Sequence, residues 1–380
     1  MNFHAADPVP SSEPLVPYGR IAILGAGAWG TALAVVAARA RREVRLWARR
    51  AEHAAAINAD GENVANLPGC PLPEGITATG DIAEALEGAE AVLLVTPSTT
   101  VREMCRRAAP YLAPGVPVIL CAKGIERGTG LLLSEVASEE LPEAPIGALS
   151  GPTFADETAK NFPTAATVAF AFGYRDRLEP MGAPAARLAV SMGSAAFRPY
   201  ISDDLLGVEV GGAVKNVIAI ACGMMSGAGF AANTRAALIT KGLAEMSDLA
   251  AALGGRRETL MGLSGAGDLT LTCSSTQSRN MSLGTQLGQG IPRAECFGGR
   301  AVTVEGEYNA LSVTDLARRT GTAMPVCEAV RQILHEGAPI GDTFASLWSR
   351  PIEAEGSRLT IELDHPARAA DIEKLAERMP

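Results

Sequence analysis

The sequence predicts an α/β doubly wound N-terminal part followed by an all-helical C-terminal part, and three observations predict it. Short continuous apolar runs recur along the first part: Ile21–Leu24, Val44–Trp47, Ala91–Val95 and Val118–Ala122. Runs of that make-up suit strands buried on both faces of a parallel sheet, and helical stretches lie between them. A glycine-rich turn, Gly25-Ala26-Gly27-Ala28-Trp29-Gly30, follows the first run and opens a helical pattern. From about Asp203 the texture changes to stretches rich in Ala, Gly, Leu and Met, with few strand-like runs. These read as packed helices whose small residues permit close approach.

In chain order, residues 1–18 carry four prolines and no periodicity, and read as a flexible arm. Thr31–Arg42 is an alanine-rich helix between the first two strands. Asp81–Leu86 and Ser98–Ala108 are helical stretches flanking the third. This alternation is the sequence form of a doubly wound domain. The second domain begins near 198–203, where the FRPYISDD segment carries turn chemistry. Gly211–Met225 and Thr234–Leu253 are its long helices. Beyond about residue 350 the chain is charged and dotted with proline, and it ends in a short helix, Ala367–Arg378. The expected domains are thus 1–18, 19–202, 203–350 and 351–380.

Composition narrows the function. The 380 residues are 47% hydrophobic and 20% charged, enough for two buried cores. Lys and Arg number 33 against 42 Asp and Glu, a formal charge of −9. That excludes a general nucleic-acid or anionic-membrane surface, so an anionic ligand needs a local cluster of cations. No uninterrupted apolar run approaches the roughly 20 residues of a membrane helix, and no integral membrane protein is expected. The N-terminal stretch has neither the basic start nor the apolar core of a signal peptide. Seven scattered cysteines without a C-x-x-C pair fit reduced thiols and a cytoplasmic protein. The four histidines, His4, His53, His335 and His365, have no metal-ligand spacing, so no metal is expected.

The glycine-rich turn is G-x-G-x-x-G. Alone it is a weak signal, because tight turns are common. Here it follows a strand, opens a helix and precedes a second strand about 20 residues on, the context of a dinucleotide site. Gly25 makes the turn, Gly27 lets the backbone approach a pyrophosphate, and Gly30 lets helix and strand pack. The N–H groups of the helix start then hold the phosphates. The second strand ends Leu46-Trp47-Ala48-Arg49-Arg50, without the carboxylate that accepts from a ribose 2′-OH. Arg49 and Arg50 can pair a 2′-phosphate, or they are two solvated arginines. Both NADP(H) and NAD(H) are therefore expected cofactors.

Four further segments carry polar residues among small ones: Cys121–Glu126, Ser150–Ala155, Gly211–Asn216 and Gly262–Leu269, the last running on to Thr272 and to Ser278-Arg279-Asn280. Singly, each has a bland explanation as a solvated lysine or a turn. Together and in this order they closely resemble the soluble NAD(P)-dependent glycerol-3-phosphate dehydrogenases of bacterial type. The resemblance runs from about Ile21 to Pro325 and includes GAGAWGTALA, LSGPTFADE, GGAVKNVIAIACGM, NTRAALITKGLAEM, GLSGAGDLTLTCSS, SRN and VEGEYNA.

The resemblance implies a Rossmann-like N-terminal domain and a helical C-terminal domain similar to that of 6-phosphogluconate dehydrogenases. It implies interconversion of dihydroxyacetone phosphate and sn-glycerol 3-phosphate for phospholipid synthesis. It places Lys215 as the catalytic acid/base. It puts Lys123, Gly151, Thr153, Asp268, Ser278, Arg279 and Asn280 at the substrate; Lys215, Asn216 and Thr272, in the same polar segments, are counted with them as substrate-binding candidates. It puts Ala28, Trp29, Lys123, Ala155, Arg279, Thr303 and Glu305 at the cofactor. Ala28 stands where the family usually has Ser, so a side-chain contact to phosphate is lost while backbone contacts remain. Thr153 stands where Ser is also common, and Thr303 where an aliphatic residue is more usual. A homodimer is expected by analogy.

The chemistry agrees with this on its own terms. Hydride delivery to a ketone needs a proton donor at the developing alkoxide. No histidine lies in the polar segments, which leaves lysine. Lys215 sits among Gly and Ala at what reads as the start of a helical stretch, where Lys123 can approach and lower its pKa. Asp268 can orient or balance the pair, and Arg279 and Asn280 offer donors to a phosphate. Two rival readings share the fold. A 3-hydroxyacid or 3-hydroxyacyl dehydrogenase would use a histidine or a differently placed lysine. A non-catalytic NAD(P)-binding regulator would have lost Lys123, Lys215, Asp268 or Arg279, and all four are present.

Overall fold

The computed structural model describes residues 15–353, 362, 363, 365, 367 and 369–377. Eight strands form one sheet: β1 Arg20–Leu24, β2 Glu43–Trp47, β3 Ile76–Thr79, β4 Ala91–Leu94, β5 Val118–Leu120, β6 Ile146–Ser150, β7 Thr164–Phe170 and β8 Phe197–Ser202. Their order is β3-β2-β1-β4-β5-β6-β7-β8. The pairs from β3 to β6 are parallel, β6 meets β7 antiparallel, and β7 and β8 are again parallel. The order reverses between β1 and β4, the crevice where an open α/β sheet binds its ligand. Eight helices connect these strands: α1 Ala28–Arg39, α2 Ala51–Asp60, α3 Ile82–Leu86, α4 Val101–Ala108, α5 Leu133–Glu140, α6 Ala155–Ala159, α7 Tyr174–Leu178 and α8 Pro184–Met192.

The four apolar runs are strands. Three strands, β3 at one edge of the sheet and β6 and β7 inside it, escape a reading by apolar runs, because ITAT, IGALS and TAATVAF are built from Thr, Ala and Gly as much as from large aliphatics. The FRPYIS segment is a correction: it is β8, not a turn. Its proline is tolerated because β8 is the edge of the sheet, where an N–H need not be donated. The expected arm is also corrected at its end. Residues 1–14 lie outside the described residues, but Tyr18 is 2% exposed. Its N–H donates to Ser191 Oγ at 2.7 Å, and the Arg187 guanidinium lies 4.1 Å from its ring centre.

The helical part runs α9 Leu205–Gly227, α10 Ala232–Ala252, α11 Arg257–Leu260, α12 Asp268–Ser274, α13 Arg279–Gly288, α14 Glu305–Thr320, α15 Pro325–His335 and α16 Ile340–Trp348. A short helix, α17 Ala369–Ala376, follows near the C-terminus. Asp204 caps α9, accepting from the Gly207 N–H at 3.0 Å. Helix α9 is the axis of this part and packs against α10, α12, α13, α14 and α15. It is also long and apolar enough to cross a membrane, which the count of uninterrupted apolar residues missed because Glu209, Lys215 and Asn216 interrupt it. In the fold 89% of that stretch is buried, as befits a core helix. Its capped start also corrects the placement of Lys215, which lies in mid-helix and not in the first turn.

Candidate active site

The carboxyl ends of β1, β4, β5 and β6 face the helical part, and the loops leaving them carry the first half of the site. Lys123 follows β5, Ser150 closes β6, and Gly151 follows it. Helices α9 and α12 supply the second half. Lys215 is 6% and Asp268 1% exposed. The Lys215 ammonium donates to Asp268 Oδ1, and to Thr272 Oγ1 at 2.8 Å. The Lys123 ammonium donates to Asp268 Oδ2 at 2.6 Å. The Thr272 hydroxyl itself donates to the Asp268 backbone carbonyl, one helical turn back, at 2.6 Å. One carboxylate thus holds two ammoniums, one on each oxygen, with one supplied by the sheet and one by α9.

The electrostatics follow from that geometry. Burial pushes the Lys215 ammonium down from the ordinary lysine value, the Asp268 charge pulls it back, and the Lys123 charge pushes it down again. The result is about 8. Burial alone would raise the Asp268 carboxyl. The Lys123 and Lys215 charges outweigh it and hold Asp268 below the usual carboxylate range.

A second layer fixes the first. Asn280 Nδ2 donates to Asn216 Oδ1 at 2.9 Å, and Asn280 Oδ1 accepts from the Gly306 N–H at 2.8 Å. Asn216 Nδ2 reaches Glu305 Oε2 at 3.4 Å. Burial raises the Glu305 carboxyl, opposed by the charges of Lys123, Lys215 and Arg279. Asn309 was not among the expected site residues, yet it is 1% exposed and ties the halves together. Its Nδ2 donates to the Lys123 carbonyl at 3.1 Å and to the Ala213 carbonyl at 3.0 Å. The signal was its spacing: Asn309 is four residues after Glu305, on the same face of α14.

The remaining expected residues fall around this cluster. Arg279 opens α13 and is exposed. Ser278 is occupied as the cap of that helix, accepting from the Met281 N–H at 3.2 Å. Thr153 Oγ1 donates back to the Gly151 carbonyl at 3.2 Å. Thr303 is exposed just before α14, and Ala155 begins α6. Arg49 and Arg50 are both exposed at the carboxyl end of β2, away from the lysine–aspartate cluster, and neither enters an ion pair among the described residues. Arg50 is the residue that caps α2.

The glycine-rich turn has the shape a pyrophosphate needs. Gly25 adopts φ +132°, and a Cβ on Gly30 would overlap the Gly25 carbonyl, so both positions require glycine. Gly27 faces open space. No side chain caps the start of α1, which leaves the N–H groups of its first turn, at Ala28 and Trp29, open to an anion.

Comparison with known proteins agrees with this arrangement. Residues 20–172 match the family model described as the NAD-dependent glycerol-3-phosphate dehydrogenase N-terminus, and residues 204–345 match its C-terminus. The chain is 50% identical to a glycerol-3-phosphate dehydrogenase [NAD(P)+] of Rhodospirillum rubrum, over 88% of this chain and 94% of that one. It is 51% identical to the enzyme of the same description from Parvibaculum lavamentivorans, over 89% and 98%. A crystal structure of glycerol-3-phosphate dehydrogenase from Coxiella burnetii superposes with a TM-score of 0.80 at 39% identity, covering 89% of this chain and all of that one.

Proposed function

The chain belongs to the NAD-dependent glycerol-3-phosphate dehydrogenases, and on that premise we propose which of its residues carry the reaction. The enzyme catalyses reversible hydride transfer between NAD(P)H and dihydroxyacetone phosphate, giving sn-glycerol 3-phosphate. The bound nicotinamide supplies the hydride. Residues 19–202 form the cofactor domain and 203–350 the substrate domain, with the reaction between them.

The observation that carries the assignment is the pair of ammoniums on the Asp268 carboxylate. Lys215 gives its proton to the carbonyl oxygen as the alkoxide forms, and its lowered pKa of about 8 suits transfer near neutrality. Lys123 keeps that pKa down and adds positive charge beside the developing alkoxide. Asp268 and Thr272 aim the Lys215 ammonium. Asn216 and Asn280 hold α9, α13 and α14 in register. Gly25, Gly27 and Gly30, with Ala28, Trp29 and Ala155, cradle the cofactor, and Thr303 and Glu305 border it. A trace at the nicotinamide absorbance band with dihydroxyacetone phosphate tests the activity, and a flat trace overturns it.

Arg279 is the proposed grip on the substrate phosphate, beside Gly151, Thr153 and Ser278. A cation in the first turn of a helix opposes the helix dipole, which supports an anion bound between them. Arg279→Ala is expected to lower kcat/KM for dihydroxyacetone phosphate by about 10- to 150-fold, the scale of a charge-assisted hydrogen bond. Unphosphorylated dihydroxyacetone, a poor substrate for both forms, should lose far less. Equal losses would move Arg279 to the cofactor.

At the end of β2, Arg49 is proposed to pair a 2′-phosphate, while Arg50 already opens α2 and its exposed side chain is left to solvent. Both NADPH and NADH are expected to serve, with NADPH preferred at low salt and the preference shrinking as salt rises. Arg49→Ala should lower the NADPH/NADH ratio of kcat/KM about 10-fold at low salt. If neither Arg49→Ala nor Arg50→Ala lowers it, the two arginines are merely solvated. A cytoplasmic setting, in support of phospholipid synthesis, completes the proposal. Seven buried free thiols support it. A homodimer is proposed as well, for which Tyr200 and Ile201 on the edge strand β8 offer exposed apolar surface.

A further inference from the structure

Ser150 closes β6 at the cleft between the sheet and α9. It is 4% exposed, and its hydroxyl has no hydrogen-bond partner among the described residues. A buried hydroxyl left unpartnered is destabilising, and alanine would fill the same place without that penalty. The position of the hydroxyl points to what completes it. A Cβ built on Gly212 would stand 3.4 Å from Ser150 Oγ and 3.2 Å from Lys123 Cγ. Gly212 therefore leaves a gap floored by the backbone of α9 and walled by the Ser150 hydroxyl and the Lys123 stem. Gly212 and Lys215 are three residues apart on α9, so the gap opens on the same helix face as the Lys215 ammonium.

The other polar side chains around that ammonium are engaged. Thr272 bonds Lys215 and the Asp268 carbonyl, Asn216 and Asn280 bond each other, Thr153 bonds the Gly151 carbonyl, and Ser278 caps α13. A second unpartnered hydroxyl is that of Thr96, which follows β4 and whose backbone N–H lies beside Gly25 on the nucleotide side.

We propose that Ser150 is a specificity-determining substrate-binding residue: its hydroxyl takes the free hydroxyl at the unphosphorylated end of the substrate, holding the adjacent carbonyl over Lys215. A neutral hydroxyl both donates and accepts, which matches a neutral carbinol. The phosphate at the other end calls for cations. This inference rests on the reaction proposed above and adds the recognition of the substrate's uncharged end.

The test compares dihydroxyacetone phosphate with hydroxyacetone phosphate, the ketone phosphate that lacks this hydroxyl. Ser150→Ala should lower kcat/KM for dihydroxyacetone phosphate about 3- to 10-fold, the scale of one neutral hydrogen bond, mostly through KM. The same change should leave kcat/KM for hydroxyacetone phosphate within twofold, NADPH affinity unchanged, and the melting temperature of the free enzyme unchanged or higher. Ser150→Cys, similar in size but a weak donor, should follow Ser150→Ala. An equal loss on both ketones, a lowered melting temperature, or no loss on either would show a structural hydroxyl or one satisfied by a trapped water. Any of these overturns the assignment while wild type still reduces dihydroxyacetone phosphate. A wild type inert towards that ketone overturns the parent reading and this one with it.

Discussion

Lys215→Ala is expected to lower kcat in both directions by at least about 10²-fold, with NADPH affinity nearly unchanged. The ammonium is buried in mid-helix and aimed by Asp268 and Thr272, so its loss removes the proton donor and leaves the nucleotide turn untouched. Alanine is a good helix former, so α9 should persist. Stopped-flow turnover and nicotinamide fluorescence titration separate the two effects. Near-native kcat would transfer the role to Lys123. In wild type, the lowered pKa of Lys215 also sets opposite pH limbs. Ketone reduction needs the ammonium, so its kcat/KM should fall as pH rises through about 8. Alcohol oxidation needs the neutral amine, so its kcat/KM should rise through the same pH. Limbs of the same sign in both directions would assign the titration to another group.

The parts of this molecule legible in the sequence were those where one residue type does one physical job. β1, β2, β4 and β5 are buried by large aliphatics and read as strands from composition alone. β7 is just as buried along most of its length, yet TAATVAF divides the work among Ala, Thr and Phe and leaves no continuous run. β8 looked like a turn because Pro199 and Asp203-Asp204 are turn residues in isolation; an edge position is a property of the sheet, not of the segment. The same holds at the site. Lys123, Lys215 and Asp268 stood out as polar residues in small-residue settings. That both ammoniums meet one carboxylate depends on where α9 begins, and Asp204 fixes that eleven residues upstream of Lys215. Asn309 looks like a solvated helix residue until its two carbonyl partners, 186 and 96 residues away, are known. Ser150 is invisible for the opposite reason: its distinguishing feature is a partner it lacks.

The other large effect is expected at Asp268. Its carboxylate is 1% exposed and accepts from both ammoniums, so Asp268→Asn leaves two facing cations without their counter-charge. The asparagine keeps one acceptor oxygen but turns an N–H₂ donor toward the other ammonium. Removing one partner of a buried ion pair costs about 3–5 kcal/mol, because the remaining charge is left in a poorly solvating site. Here the protein has an outlet: Lys215 already sits at about 8, and without Asp268 pulling it up it should titrate lower still. Two consequences follow with fixed signs. At pH 6 the uncompensated charge persists, so the melting temperature of Asp268→Asn should fall well below wild type. At pH 9 Lys215 is neutral in the variant, so the deficit should narrow. Ketone reduction should lose at least about 10²-fold in kcat at neutral pH, from a donor both misaimed and deprotonated, and its pH limb should move to the acid side. Differential scanning fluorimetry at the two pH values and a pH–rate profile read all three. A variant as stable as wild type at pH 6, with its reduction limb still near 8, would mean that Asp268 does not balance the lysine pair, and the acid/base assignment would lose its electrostatic basis.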